Sequence, residues 1–199
     1  DVAIDFKREN KTDSYQIENR FGTKMNLKLI VNAPFEKVQD IIVNGKSVAW
    51  ENISESIGNP KIAIEVPFAA IFDVKINWQG DTLEEVNSSL PLTSGEYLSI
   101  TTSKAEIVSI YDPQSILGEI SKTNKSYQAI VYGNKFKTFF VQLKQGDLLW
   151  WKPIELDLKP KIESQIIESK NNNVEVSLKN NSKIKIEGNV VFDASAKEN

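Results

Sequence analysis

The chain has 199 residues, 40% of them hydrophobic and 26% charged, and it contains neither histidine nor cysteine. This composition excludes disulfides, thiol nucleophiles and imidazole catalysis, and it removes the commonest zinc ligands. The 24 basic and 27 acidic residues give a net charge of −3, and the basic residues are scattered, so nucleic acid is a poor candidate partner. We therefore expect no cofactor, and a binding or structural role takes precedence over catalysis.

Apolar residues alternate with polar ones along most of the chain, a pattern that predicts half-buried β-strands. The alternation is clearest in residues 25–31 and 72–78. In chain order, the predicted strands cover residues 25–31, 38–43, 47–50, 61–66, 72–78, 97–101, 105–111, 127–132, 135–143, 154–158, 162–167, 174–178 and 184–192.

Glycine and asparagine mark turns between these strands. Asn44-Gly45 is a dipeptide that accepts positive φ at both positions, so residues 38–50 are predicted to form a tight hairpin. The segments Gln79-Gly80-Asp81 and Gln145-Gly146-Asp147 indicate two further turns.

Helix signals are weak. Asp112 as an N-cap, Pro113 in the first turn and Gly118 as a stop predict one short helical turn, and residues 82–87 are a second candidate. Many short strands separated by glycine, asparagine and proline are typical of a sandwich or barrel. We predict an all-β fold, an antiparallel β-sandwich that is either one large sandwich or a double one.

The composition changes after Lys159-Pro160. Beyond this point the chain is rich in Asn, Lys, Glu and Ile and has no tryptophan or tyrosine. This shift predicts a β-sandwich domain over residues 1–158 and a further unit over residues 159–199. About 40 residues are too few for an independent β domain. The second unit is therefore either the first strands of an immunoglobulin-like domain or a hairpin packed back on the sandwich.

Trp150 and Trp151 are the candidate binding residues. Adjacent residues in a strand point to opposite faces, so a sheet with one buried face must turn one of the two indoles away from the core. An exposed indole can stack on the apolar C–H face of a sugar ring, which predicts a sugar-stacking or interface role. The alternative is that a second sheet, a loop or another domain covers it. Trp50 and Trp78, each at the end of an alternating strand, are expected in the core.

Carboxylates are the main catalytic material that this composition leaves. Asp112, Glu119, Asp147 and Glu155 lie near aromatic residues, and a glycosidase needs two carboxyl groups roughly 5 to 9.5 Å apart. Charged residues are frequent in this chain, so such neighbours arise by chance, and we expect these acids to be solvated. Asp112 is expected to cap a turn. We predict no catalytic residue and no metal site.

Several segments resemble the non-catalytic β-sandwich parts of large secreted bacterial glycosidase-like proteins, in which such parts flank an (α/α) six-hairpin barrel. These segments are residues 43–46 with Trp50, 62–64, 76–80, 111–114, 139–141 and 150–154. Residues 174–181 and 186–190 are similar to the opening strands of the immunoglobulin-like modules in those enzymes. No catalytic residue carries over, and this sequence lacks the helical barrel.

The resemblance implies a non-catalytic structural or carbohydrate-contacting module of an exported bacterial polysaccharide-processing protein, in the periplasm or at the cell surface. The expected partners are a glycan and a catalytic domain of the same full-length chain. The first residue is Asp1, without a basic and apolar leader, which we interpret as a mature or trimmed chain. No membrane span is expected, because the longest uncharged apolar stretch, residues 66–72, is too short.

Two other functions stay open. One is a stand-alone envelope protein that binds a protein partner through a sheet edge or an aromatic patch. The other is a glycosidase that uses carboxylates alone, which requires two acids facing each other in a cleft lined by aromatic residues.

Overall fold

The computed structural model describes residues 1–170 and 173–189, and the regular elements in this part of the chain are all β-strands. The predicted all-β fold is confirmed. The strands are β1 Val2–Glu9, β2 Thr12–Asn19, β3 Leu27–Asn32, β4 Phe35–Val43, β5 Lys46–Ser47, β6 Glu51–Ile53, β7 Lys61–Val66, β8 Ile71–Thr82, β9 Ser89–Thr93, β10 Tyr97–Thr101, β11 Glu106–Tyr111, β12 Leu117–Lys122, β13 Ser126–Val131, β14 Lys135–Gln145, β15 Leu148–Lys159, β16 Ile162–Lys170 and β17 Asn173–Asn180. None of the described segments is a helix that could cross a membrane.

Strands β1 to β8 form a first sandwich of two sheets, with the strand orders β1-β2-β8-β4-β5 and β3-β7-β6. Phe72, Val74, Ile76 and Trp78 of β8 are at most 3% exposed, whereas the residues between them are partly or fully exposed. The alternation in the sequence is therefore an alternation between core and solvent. Trp78 lies in the core as predicted, and the partly buried Trp50 packs against this core.

Strands β9 to β15 form a second sandwich, with the strand orders β11-β14-β15-β9 and β10-β13-β12. Neighbouring strands run antiparallel, except that β9 is parallel to β15. In this order β10, β13 and β12 take the places of strands B, E and D of an immunoglobulin-like sandwich, and β11, β14 and β15 those of C, F and G. The fold is thus a double sandwich.

Strand β15 joins the two sandwiches. Its second half pairs with β9. Its first half is bound to the first sandwich: Trp151 N–H donates to the Ser56 carbonyl, and Gly58 N–H donates to the Trp151 carbonyl, both at 2.8 Å. The Asn52 side chain bonds both the N–H and the carbonyl of Leu149. Because the buried apolar residues of both sandwiches also form one cluster, the two share a continuous core.

Two of the three predicted turns are confirmed, and one is wrong. Asn44 and Gly45 have φ values of 49° and 78° and join β4 to β5, which confirms the hairpin. Gly146 lies in the turn between β14 and β15, also as predicted. The turn predicted at Gly80 is wrong, because β8 continues to Thr82. Gly80 has φ 82° and lies in a bulge of β8, where the register with β4 shifts by one residue.

The helix predictions are wrong. Residues 83–88 contain neither helix nor strand and connect the two sandwiches. Asp112 does cap a turn, because its carboxylate accepts hydrogen bonds from the N–H groups of Gln114 and Leu117. That turn leads into β12 rather than into a helix.

The tail begins with the antiparallel hairpin β16-β17, a sheet separate from both sandwiches. The Thr93 hydroxyl donates to the carbonyl of Asn181 at 3.1 Å, and Lys183 lies 3.5 Å from the Glu96 carboxylate. Residues 184–189 of the predicted last strand are not a strand, and its residues 190–192 lie outside the described residues. The domain boundary near residue 159 stays a prediction.

Candidate functional site

The adjacent indoles on β15 lie in opposite environments. Trp150 is 2% exposed and belongs to the core, whereas Trp151 is partly exposed on the outer face of the sheet β11-β14-β15-β9. Strand geometry requires this separation. Of the two predicted binding residues, Trp151 is the one with an exposed face, whereas the buried Trp150 contributes only to the wall of a larger cleft beside residues 83–88.

Two aromatic side chains, from β11 and β14 of the same sheet, line one depression together with Trp151. Tyr111 of β11 lies directly opposite Phe140 of β14, and their ring centroids are 6.1 Å apart. The Tyr111 ring also meets Trp151 edge to face, with 6.4 Å between centroids and 72° between planes. These distances are within the range of favourable aromatic contacts. Tyr111 remains 57% exposed, so the cluster presents an open apolar surface.

The first sandwich completes this surface. Glu55 and Ile57 lie beside the three rings, and together the five residues line a depression of about 240 Å³. We call this set of residues the aromatic patch: Glu55, Ile57, Tyr111, Phe140 and Trp151. Its backbone is held by the two hydrogen bonds between Trp151 and residues 56 and 58. The patch is thus preformed at the junction of two sandwiches, a common position for ligand sites.

A larger cleft of about 1070 Å³ lies where the open side of the first sandwich meets the linker of residues 83–88. Glu85 and Lys152 line it, as do two charged side chains that already have hydrogen-bond partners, Arg8 and Glu84. Arg8 donates two hydrogen bonds, of 2.5 and 2.7 Å, to the fully buried Asp13. The Glu84 carboxylate is bound by three backbone N–H groups of the second sandwich. We prefer the aromatic patch despite its smaller volume, because it brings three aromatic rings together at the surface.

The carboxylate of Glu84 accepts hydrogen bonds from the N–H groups of Ser103, Lys104 and Ala105, at 2.6 to 2.8 Å. Burial opposes ionisation here, but these N–H groups outweigh it and lower the pKa of Glu84 below its usual value. The ionised carboxylate of Glu84 therefore binds the linker to the second sandwich.

The four acids considered for catalysis lie on different elements. Asp112 caps the turn before β12, and Glu119 is exposed on β12. The backbone N–H of Asp147, in the turn after β14, donates to the Glu36 carbonyl, and Glu155 is exposed on β15. Across residues 1–170 and 173–189, no three acidic side chains come together as metal ligands would.

Sequence reasoning missed Tyr111 and Phe140 as members of the site. Phe139 and Phe140 are adjacent aromatic residues in a strand, like the two tryptophans, and Phe139 is fully buried. The same argument from opposite faces would have placed Phe140 outside. Glu55 and Ile57 carry no such signal, because only tertiary pairing brings their loop to β15.

No protein-family model matches the chain, and no curated protein sequence matches it.

Proposed function

We propose that the protein is a non-catalytic, carbohydrate-contacting module and that the aromatic patch is its sugar-binding surface. The observation that carries the proposal is the open cluster of Tyr111, Phe140 and Trp151 at the junction of the two sandwiches. An exposed aromatic cluster held on rigid strands binds ligands at a low cost in side-chain entropy.

A sugar ring offers an apolar C–H face and a rim of hydroxyl groups. The C–H face stacks on Trp151 or Tyr111, and the rim needs polar partners beside the rings. Glu55 supplies a carboxylate in the depression, and Gln142 lies directly opposite Trp151 on the neighbouring strand. A carboxylate repels acidic sugars, so we expect neutral sugars to bind better than uronic acids.

The resemblance to accessory parts of secreted glycosidase-like proteins supports the biological setting. We infer an exported bacterial polysaccharide-processing protein, located in the periplasm or at the cell surface, whose catalytic domain belongs to the same full-length chain. The lack of histidine and cysteine fits a module that recognises or supports rather than one that breaks bonds.

The test is binding to a glycan array, followed by affinity electrophoresis in gels that contain the neutral polysaccharides selected by the array. Trp151→Ala and Tyr111→Ala should each weaken retention about tenfold or more, which is about 1.4 kcal/mol. Tyr97→Ala is the matched control, because Tyr97 is 69% exposed on the other sheet of the same sandwich. Its retention should equal that of the unmodified protein.

Two results would overturn the sugar-binding proposal. One is the absence of binding to every plant and host glycan, which leaves only a structural role. The other is retention by Trp151→Ala and Tyr111→Ala that equals the retention of Tyr97→Ala.

A second candidate is a stand-alone envelope protein that binds a protein partner. It is favoured by the exposed apolar residues of edge strand β1. The full-length reading frame discriminates between the two functions. A frame that ends near residue 199 favours the envelope protein, whereas a long frame with a helical catalytic region favours the accessory module.

A further inference from the structure

Strand β1 is an edge strand with unpaired backbone groups. It pairs with β2 on one side, and in the described residues no strand pairs with its other side. Glu9 and Thr12 flank the two-residue turn between the strands and form the first backbone hydrogen-bonded pair. Hydrogen-bonded pairs recur at every second residue of an antiparallel ladder, so the odd-numbered residues of β1 bond to β2. The bond from Arg20 N–H to the Asp1 carbonyl follows this pattern. The N–H and carbonyl groups of Ile4, Phe6 and Arg8 therefore point away from β2.

This edge also exposes apolar side chains. Val2, Ile4 and Phe6 lie opposite Asn19, Ile17 and Tyr15, so Ile4 and Phe6 share the face that Ile17 turns into the core. They are nevertheless 44%, 59% and 53% exposed. The reason is that a five-stranded sheet faces a sheet of only three strands, which leaves the inner face of β1 uncovered. An edge of this kind is a template for pairing with another strand.

The charges on the outer face of β1 and the length of strand that can pair together favour one register for pairing with a second copy. In an antiparallel pair centred on Phe6, Asp5 lies opposite Lys7 of the second copy, and the symmetry repeats this contact. Registers centred on Asp5 or on Lys7 would oppose like charges, which is destabilising. A register centred on Ile4 places Lys7 opposite Asp1, which lies outside β1, leaves Asp5 opposite Ala3, and pairs only residues 2–6 of β1, whereas centring on Phe6 pairs residues 3–9. A register centred on Arg8 opposes the two Arg8 side chains and pairs only residues 7–9 of β1.

We propose that two copies of this protein associate through β1, antiparallel and centred on Phe6. This register directs the free backbone groups of Ile4, Phe6 and Arg8 at those of the second copy and forms about six hydrogen bonds. It brings the two Phe6 rings together and joins two five-stranded sheets into one. The proposal is independent of sugar binding, because β1 contributes no residue to the aromatic patch.

The test is the molar mass of the protein in solution, measured by sedimentation equilibrium from about 1 µM to about 1 mM at low salt. Asp5→Lys and Lys7→Asp each place like charges opposite one another, so each variant alone should dimerise at least tenfold more weakly. An equal mixture of the two variants should recover the dimer, because every Asp then faces a Lys. Native mass spectrometry should show that this dimer contains one copy of each variant.

Lys46→Asp is the matched control, because Lys46 is exposed on β5 at the opposite edge of the same sheet. It makes the same change in charge as Lys7→Asp and should leave dimerisation unaltered. Three results would each overturn the proposal: a wild-type protein that stays monomeric at about 1 mM, a dimer that neither variant weakens, or a mixture of the variants that stays monomeric. Trp151→Ala should dimerise like the unmodified protein, which separates this test from the sugar-binding test.

Discussion

Adjacent aromatic residues on a strand can have opposite roles, and Trp150 and Trp151 are the clearest example. Trp150 fills the core of the second sandwich, and Trp151 forms part of its surface. The chemical groups are identical, so their different roles come from the strand alternation alone.

Replacement of each tryptophan by alanine should separate these roles. Trp150→Ala leaves a cavity in the core and should lower the free energy of unfolding by about 3–5 kcal/mol. Trp151→Ala removes a partly exposed side chain and should lower it by about 1 kcal/mol. Urea denaturation followed by circular dichroism measures both values. Equal losses for the two variants would contradict the assignment of one indole to the core.

Single residues also explain why the hairpin β1-β2 was not predicted from the sequence. Asp13 of β2 points inward and is fully buried, where it accepts hydrogen bonds from Arg8 and, at 3.0 Å, from the indole of Trp78. A buried carboxylate breaks the alternation that marks a strand. The turn before it has Asn10 at φ 53°, without the glycine that signals a hairpin.

The turn between β14 and β15 is an element that ties one sandwich to the other. The Gln145 side chain, 3% exposed, donates to the Glu36 carboxylate and the Thr82 carbonyl, and it accepts a hydrogen bond from Glu84 N–H. Gly146 packs against the backbone of Glu36 so closely that a Cβ would overlap its carbonyl oxygen.

Gly146→Ala should therefore destabilise the protein by more than about 1 kcal/mol, because Gly146 also has φ 57° and neither backbone can yield easily. Gly22→Ala is the control, since nothing lies within 4 Å of a Cβ at that position. It should change stability by less than about 1 kcal/mol. Thermal unfolding of both variants gives the comparison, and similar melting temperatures would contradict this role of the turn.

The strands with unbroken alternation, such as β8 and β17, were all found by sequence analysis. Strand β9 was missed because Pro91 within it argues against a strand, although proline is accepted at an edge. Strand β12 was missed because its bulge, with Glu119 at φ 49°, interrupts the period. The aromatic patch was predicted only in Trp151, because its other members come together through pairing between distant segments.

The two sandwiches are joined by several kinds of contact. They share a core, the hydrogen bonds of β15 and the contacts of Gln145. The linker adds the Glu84 carboxylate, which is bound by three consecutive N–H groups of the second sandwich.

The stability that Glu84 contributes should depend on pH. Its pKa in the folded protein is lowered from the usual 4.5, so the contribution is present above that value and is lost as pH falls through the folded pKa. Glu84→Gln should be about 1–2 kcal/mol less stable than the unmodified protein at pH 7. The difference should shrink when urea denaturation is repeated at about pH 3. A difference that stays constant with pH would contradict a role for the ionised carboxylate.

Recognition of sugars at the junction of the two sandwiches is the central claim for the whole protein. Its most direct test is a titration with the best-bound neutral oligosaccharide, followed through the indole N–H signals of the four tryptophans in ¹H–¹⁵N NMR spectra. Trp151→Phe assigns the signal of Trp151. That signal should shift with saturation, while those of the core residues Trp78 and Trp150 move little. A titration that shifts other signals and leaves Trp151 unmoved would contradict the account.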